Sequence, residues 1–192
     1  GTNNTSVGSL ALQDNQTGLA NTAIGHSALE SNTATANTVV GADAAKNTTS
    51  GALNTVVGKD AFFTNTTGAN NVAVGFAALE NNTTASNNTA IGYHALNDNT
   101  TGAENTAIGT NSLDANTTGG NLVAVGMHSL GGNTTGNNNV AMGHGALFSN
   151  TTASSNTGIG FSALYSNTTA SNNTAVGNNA CLLYTSPSPR DQ

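Results

Sequence analysis

The feature that most constrains this chain is an internal repeat of 17 residues. A glycine preceded by Asn-Thr-Ala-Ile or a close variant recurs from Gly8 to Gly177. Every interval between successive glycines is 17 residues, except that between Gly25 and Gly41, which is 16. Such a period predicts a repeat architecture, because one short unit cannot bury its own apolar residues whereas stacked units can.

Each unit contains a predicted strand that ends at the glycine. The residue before the glycine is apolar, the residue two positions earlier is usually β-branched, and a small residue lies between them. Since strand side chains alternate, the first two share a face. We expect the column before the glycine to face the core, so that Ile108→Asp would unfold the neighbouring turns. This predicted core column comprises Ile24, Val40, Val57, Val74, Ile91, Ile108, Val125, Met142 and Ile159.

The glycine that follows the strand is expected to turn the chain, because glycine adopts positive φ angles without a steric penalty. The turn glycines are Gly25, Gly41, Gly58, Gly75, Gly92, Gly109, Gly126, Gly143 and Gly160.

A second apolar column, mostly leucine, lies four residues after the glycine and is also predicted to face inward. Its segment could be a second short strand or a single helical turn, because periodicity does not distinguish them over so few residues. Asparagine then recurs, from Asn15 to Asn167 and with Asn47 in the third unit, and Asn-Thr-Thr predicts a turn. The leucines are Leu29, Leu79, Leu96, Leu113, Leu130, Leu147 and Leu164.

Together these columns predict an all-β chain, a parallel β-solenoid (β-roll) with one turn per 17 residues and about eleven turns, over residues 1–180. Like residues then lie above like, and stacked asparagines can exchange amide hydrogen bonds along the axis. Identical stacked charges would repel one another. This repulsion explains why charged residues make up only 6% of the sequence.

Residues 181–192 depart from the repeat. They contain both prolines, the single cysteine and the single arginine of the chain. Residues 181–191 resemble the translation of a transposase-type sequencing adapter, so we interpret 181–192 as a non-native, loosely attached tail. Residues 1–180 would then be a fragment of a longer chain.

Composition and spacing argue against several classes of function. Three basic residues against nine acidic ones disfavour binding to nucleic acid, and no apolar run is long enough to span a membrane. The histidines form no regular ladder, acidic residues do not recur in every turn as calcium-binding rolls require, and no catalytic arrangement interrupts the repeat. We expect no metal, no cofactor and no enzymatic activity. The histidines are His26, His94, His128 and His144.

The motifs Asn71-Val-Ala-Val-Gly75 and Asn139-Val-Ala-Met-Gly143 resemble the head repeats of trimeric autotransporter adhesins. The fuller unit N-T-A-I-G-x-x-A-L-x-x-N-T-T-G is similar to the repetitive shafts of bacteriophage-type tail fibres and bacterial surface proteins. The resemblance implies a left-handed parallel roll, three chains side by side, and a location outside the cell or on a virion. Its partner would be a host-surface receptor or glycan.

We therefore expect a non-enzymatic adhesive shaft that makes no membrane contact of its own. A homotrimer is expected, with the small-residue column from Ala73 to Ala141 as the contact face between chains. An ice-binding β-solenoid is the alternative, because regular threonine columns can order water. Against it, the two threonines of Asn-Thr-Thr point to opposite faces, so each turn offers one outward threonine from this pair.

Overall fold

The computed structural model describes residues 1–182, and these form one parallel β-solenoid of about ten turns, without helices. The predicted fold class is thereby confirmed. Eleven strands of three residues each, shorter than the five predicted, form a single sheet in sequence order. The strands are β1 Thr5–Val7, β2 Thr22–Ile24, β3 Thr38–Val40, β4 Thr55–Val57, β5 Val72–Val74, β6 Thr89–Ile91, β7 Thr106–Ile108, β8 Val123–Val125, β9 Val140–Met142, β10 Thr157–Ile159 and β11 Thr174–Val176.

Equivalent residues pair throughout the sheet, including across the one shortened unit. In β2 and β3, Thr22 pairs with Thr38, as in the 17-residue units. The missing residue is taken from the turn after the leucine segment. There Asn32 Oδ1 accepts a hydrogen bond from the amide of Ala34 at 3.2 Å, two residues on, whereas Asn65 Oδ1 accepts from Gly68, three residues on, at 3.0 Å. The turn absorbs the deletion, and the strand register is preserved.

The structure reverses the predicted faces of the strands. Ala107, at the centre of β7, is fully buried, whereas Ile108 and Ile91 are each 38% exposed. The prediction that the column before the glycine faces inward is therefore wrong. The expectation that the alanine column forms an outer contact face is wrong as well. The members of the column before the glycine are exposed at Ile24, Val57, Ile91, Ile108 and Met142 and half-buried at Val40, Val74, Val125 and Ile159.

The coil is too thin to hold a large side chain at the strand centre. At Gly158, which replaces alanine in β10, a Cβ atom would lie 3.2 Å from Leu147 Cγ and 3.1 Å from the Ala163 carbonyl oxygen. The leucine column of the preceding turn therefore fills the space that the strand faces. An inward isoleucine would collide with it, because close-packed interiors accommodate extra methylene groups only with strain.

Two larger residues occur in the inward strand column, and both adjoin a gap in the leucine column. Val39 and Val56 are fully buried in β3 and β4. The turn that contains β3 carries Ala45 where the others carry leucine, and the next turn carries the buried Phe62. The added volume of the valines and the phenylalanine thus compensates for the small alanine, as a core of uniform density requires.

The leucine segment is neither of the two structures left open by its sequence. Ser27 and Leu29 have φ angles of 51° and 53°, in the left-handed region. Their amides donate in opposite directions along the axis, Ser27 to the Ser9 carbonyl at 2.9 Å and Leu29 to the Ala44 carbonyl at 3.0 Å. This segment is a second hydrogen-bonded ladder, which brings the leucine side chains into the core opposite the strands. The left-handed conformation of leucine costs roughly 1–2 kcal/mol per residue, which the burial and the ladder must offset.

Two asparagine ladders run along the axis, as predicted. In the first, Nδ2 of each turn's asparagine donates to Oδ1 of the preceding one at 2.9–3.2 Å, from Asn65 to Asn167. Thr48, not the predicted Asn47, occupies this position in the third unit, and Asn65 Nδ2 contacts its hydroxyl at 3.4 Å. The second ladder precedes each strand. There Oδ1 of one asparagine accepts from the backbone amide of the equivalent residue in the next turn, as Asn88 does from Asn105 at 2.9 Å.

The turn glycines are required by a close approach of backbones. Gly109 has a φ of 134°. A Cβ atom there would lie 2.7 Å from both the carbonyl carbon and the oxygen of Gly126 in the next turn. Any side chain at this column would therefore separate adjacent turns.

The predicted tail, residues 181–192, lies outside the described residues except for its first two. Cys181, four residues after Gly177, is exposed and has a φ of 51°, the conformation of the leucine column.

Candidate functional site

The outer surface of the solenoid includes two regions of different chemistry. The first, here called the strand face, consists of the outward first and third residues of β1–β11. It contains threonine, valine, isoleucine and one methionine, and no charged residue in any strand. Its pattern is nearly the same in every turn.

The second region, here called the variable edge, consists of the residues one, two, five and six positions after each turn glycine. Of the charged residues in the described chain, all but Glu104 lie on it, as do the four histidines. Its residues differ from turn to turn, whereas those of the strand face hardly vary. The variable edge is therefore where individual turns acquire distinct chemistry.

Charged residues dominate the variable edge in the first part of the rod. Lys46 Nζ lies 3.4 Å from Asp43 Oδ1 and 3.7 Å from Glu30 Oε2, and His26 Nδ1 lies 3.8 Å from the same Asp43 oxygen. Lys59 pairs with Asp60 in the next turn. The hydrogen bond to Asp60 raises the pKa of Lys59. Exposed pairs of this kind contribute little to stability, roughly 0–1 kcal/mol each.

An aromatic cluster follows on the same edge. Phe76 and Tyr93 stack across adjacent turns with ring centroids 5.5 Å apart, and the His94 ring stacks 4.2 Å from Tyr93. Lys59 Nζ lies 5.6 Å from the centre of the Phe76 ring. Phe76 and Tyr93 nevertheless remain 43% and 51% exposed.

A second aromatic cluster lies further along. His144 stacks on Phe161 at 5.3 Å, and Phe148 stacks on Tyr165 at 5.1 Å. The His128 ring stands perpendicular to both His144 and Phe148, with centroids 6.3 and 6.0 Å away. Phe161 is 53% exposed, so this cluster also presents ring surface to solvent.

Two polar groups of the edge are affected by burial. Partial burial raises the pKa of Asp114, and the nearby His128 opposes this shift. Asn111 Oδ1 is buried and has no hydrogen-bond partner among the described residues. Both residues lie between the two aromatic clusters in the sequence.

Within residues 1–182 the structure contains no group of three or more potential metal ligands. Over the same range no pocket is found. No helix in this part of the chain is long and apolar enough to cross a membrane.

The structure distributes the residues singled out from the sequence over three places. The leucine column lies in the core, the turn glycines form a backbone contact between turns, and the column before the glycine forms half of the strand face. Sequence reasoning missed both aromatic clusters, although it noted aromatic residues near the glycines. The available signal was variation between repeats, which is concentrated at the variable edge.

No protein-family model, curated protein sequence or solved structure matches this chain.

Proposed function

We propose that this protein is a non-enzymatic shaft of a surface adhesin or fibre, acting outside the cell or on a virion as a spacer and attachment surface. The observation that carries the proposal is the strand face, which is free of charge and repeats in register through eleven strands. A continuous outward stripe of isoleucine and valine is a poor solvent surface but a good contact surface. Paired, in-register turns also make a rod suited to spacing.

The partner we propose for the strand face is the same chain, in a homotrimer. Copies that pack through this face would bury the half-exposed column that contains Ile91 and Ile108, each 38% exposed. Removing apolar surface from water stabilises association by about 25 cal/mol per Å². The lack of charge in the face means that no ion would need to be desolvated.

Light scattering on the full chain tests this assembly. We expect three times the monomer mass for the wild type and the monomer mass for the double variant Ile91→Lys, Ile108→Lys, with unchanged circular dichroism. The matched control is Tyr93→Lys, Thr110→Lys, which places the same charges in the same turns on the variable edge and should remain trimeric. A wild type that is monomeric at every concentration would contradict the proposal.

Ice binding is the second candidate, and the outward threonines of the strands favour it. Thr22, Thr38 and Thr55 begin successive strands and lie in register on the strand face. Regularly spaced hydroxyl and methyl groups on such a face could order water. Thermal hysteresis of the wild type that disappears in the variant Thr38→Lys, Thr55→Lys would favour this function. A wild type without hysteresis would exclude it.

A further inference from the structure

We propose that the variable edge is a recognition surface for an extended, neutral saccharide, bound by the two aromatic clusters. This inference rests on the proposed function, because it assigns a site and a ligand class to the attachment surface of the shaft. The strand face would hold copies of the chain together, and the variable edge would contact the partner.

The difference in variability between the two regions supports this division. A surface that packs against copies of itself along a rod can be the same in every turn, as the strand face is. The position after the glycine instead reads Lys59, Phe76, Tyr93 and Thr110 in four successive turns. Regular stacking does not require such changes, so the edge is free to meet a ligand whose chemistry varies along its length.

The exposed rings indicate what the ligand presents. Tyr93 and Phe161 are 51% and 53% exposed although each stacks on a neighbouring ring. Aromatic side chains offer a rigid apolar surface at low entropic cost, and tyrosine adds a polar tip. The C–H faces of sugar rings fit such a surface. Their hydroxyls can bond to the amides and hydroxyls beside it, such as Asn97 and Thr110.

Charge excludes the other common partners of stacked aromatic rings. Single-stranded nucleic acids bind aromatic platforms that lie in positively charged grooves. From Phe76 to Tyr165 the charged residues of this edge are Glu80, Asp98 and Asp114, all acidic. An anionic polymer, including a sulfated glycan, would be repelled along this part of the rod.

The shape of the surface favours an extended saccharide over a small molecule or a proline-rich peptide. Small-molecule sites are concave, and proline-rich peptides dock in aromatic-lined grooves, whereas the described chain has no pocket. The rings instead follow the rod axis, one turn apart at about 4.8 Å. A linear ligand lying along the edge can reach several of them in succession.

The experiment is calorimetric titration of the full chain with three neutral hexasaccharides: cellohexaose, chitohexaose and maltohexaose. We expect at least one to bind and the variant Tyr93→Ala, Phe161→Ala to raise its Kd about tenfold or more. The control variant Thr101→Ala, Thr169→Ala changes exposed threonines in the same two turns and should leave the Kd unchanged. Thermal melting of both variants checks that the solenoid is intact.

Heparin hexasaccharide, oligothymidylate and a decaproline peptide are the competing probes. Binding of any of these in preference to the neutral sugars, failure of all three sugars, or equal affinity of the wild type and the aromatic variant would overturn the inference. If the chain is multimeric but binds no sugar, this inference alone fails. If a sugar binds to a chain that is monomeric, the proposed assembly fails and the saccharide site remains.

Discussion

Ala107 and Ile108 are neighbours in β7 with opposite surroundings, one fully buried and one 38% exposed. We expect Ala107→Leu to lower the free energy of unfolding by about 1–3 kcal/mol, because the leucine column fills the space that it faces. Ile108→Asp should change it by about 0.5 kcal/mol or less, as is usual for surface positions. Urea unfolding at dilutions where the chain is monomeric measures both. A larger loss for Ile108→Asp would contradict the observed faces.

Leu122 interrupts the asparagine ladder that precedes the strands. Its own amide donates to Asn105 Oδ1 at 3.0 Å, but its side chain offers no oxygen to Asn139, whose amide has no acceptor among the described residues. We expect the Asn139 amide to exchange with solvent deuterium about tenfold faster than that of Asn105, given a net value near 1 kcal/mol per hydrogen bond. Leu122→Asn should slow the exchange at Asn139. Equal rates at Asn105 and Asn139 in the wild type would refute this.

The turns and the strands differ in how they tolerate a change of length. The deletion between Asn32 and Asn37 shortens a turn and leaves the pairing of Thr22 with Thr38 intact. We therefore expect deletion of Thr118, in the equivalent turn, to lower the melting temperature by about 5 °C or less. Deletion of Ala107 should abolish the cooperative transition, because a one-residue slip turns Ile108 into the core. Calorimetry on both deletions would decide, and equal effects would contradict the account.

Sequence predicts the elements of this fold better than their orientation. The period, the strand positions and the turns follow from the spacing of the glycines and asparagines. Which strand face is buried does not follow, because both faces are largely uncharged and the choice depends on the distance between β7 and the leucine column. The left-handed conformation of Leu29 is likewise hidden, since leucine disfavours it. The aromatic clusters depend on stacking between Phe76 and Tyr93, 17 residues apart.

At the scale of the whole molecule, each turn contacts mainly its two neighbours, so stability should add up turn by turn. We expect excision of one complete unit, residues 89–105, to leave a shorter solenoid that unfolds cooperatively. Asn88 would then precede Thr106, and Asn116 would stack on Asn82, which restores every column. The melting temperature should fall only modestly, because one interface between turns is lost out of about ten.

Excision of nine residues, 97–105, is the matched control for this prediction. It removes about half as much chain, but it places the strand of one turn against the turn of the next, so neither the asparagine ladders nor the leucine column can form across the junction. We expect this variant to lose its β-sheet circular dichroism, or to melt broadly, although it is longer than the first. If the nine-residue deletion were the more stable of the two, stability would depend on chain length, and the stacking of equivalent residues would not be what holds the rod together.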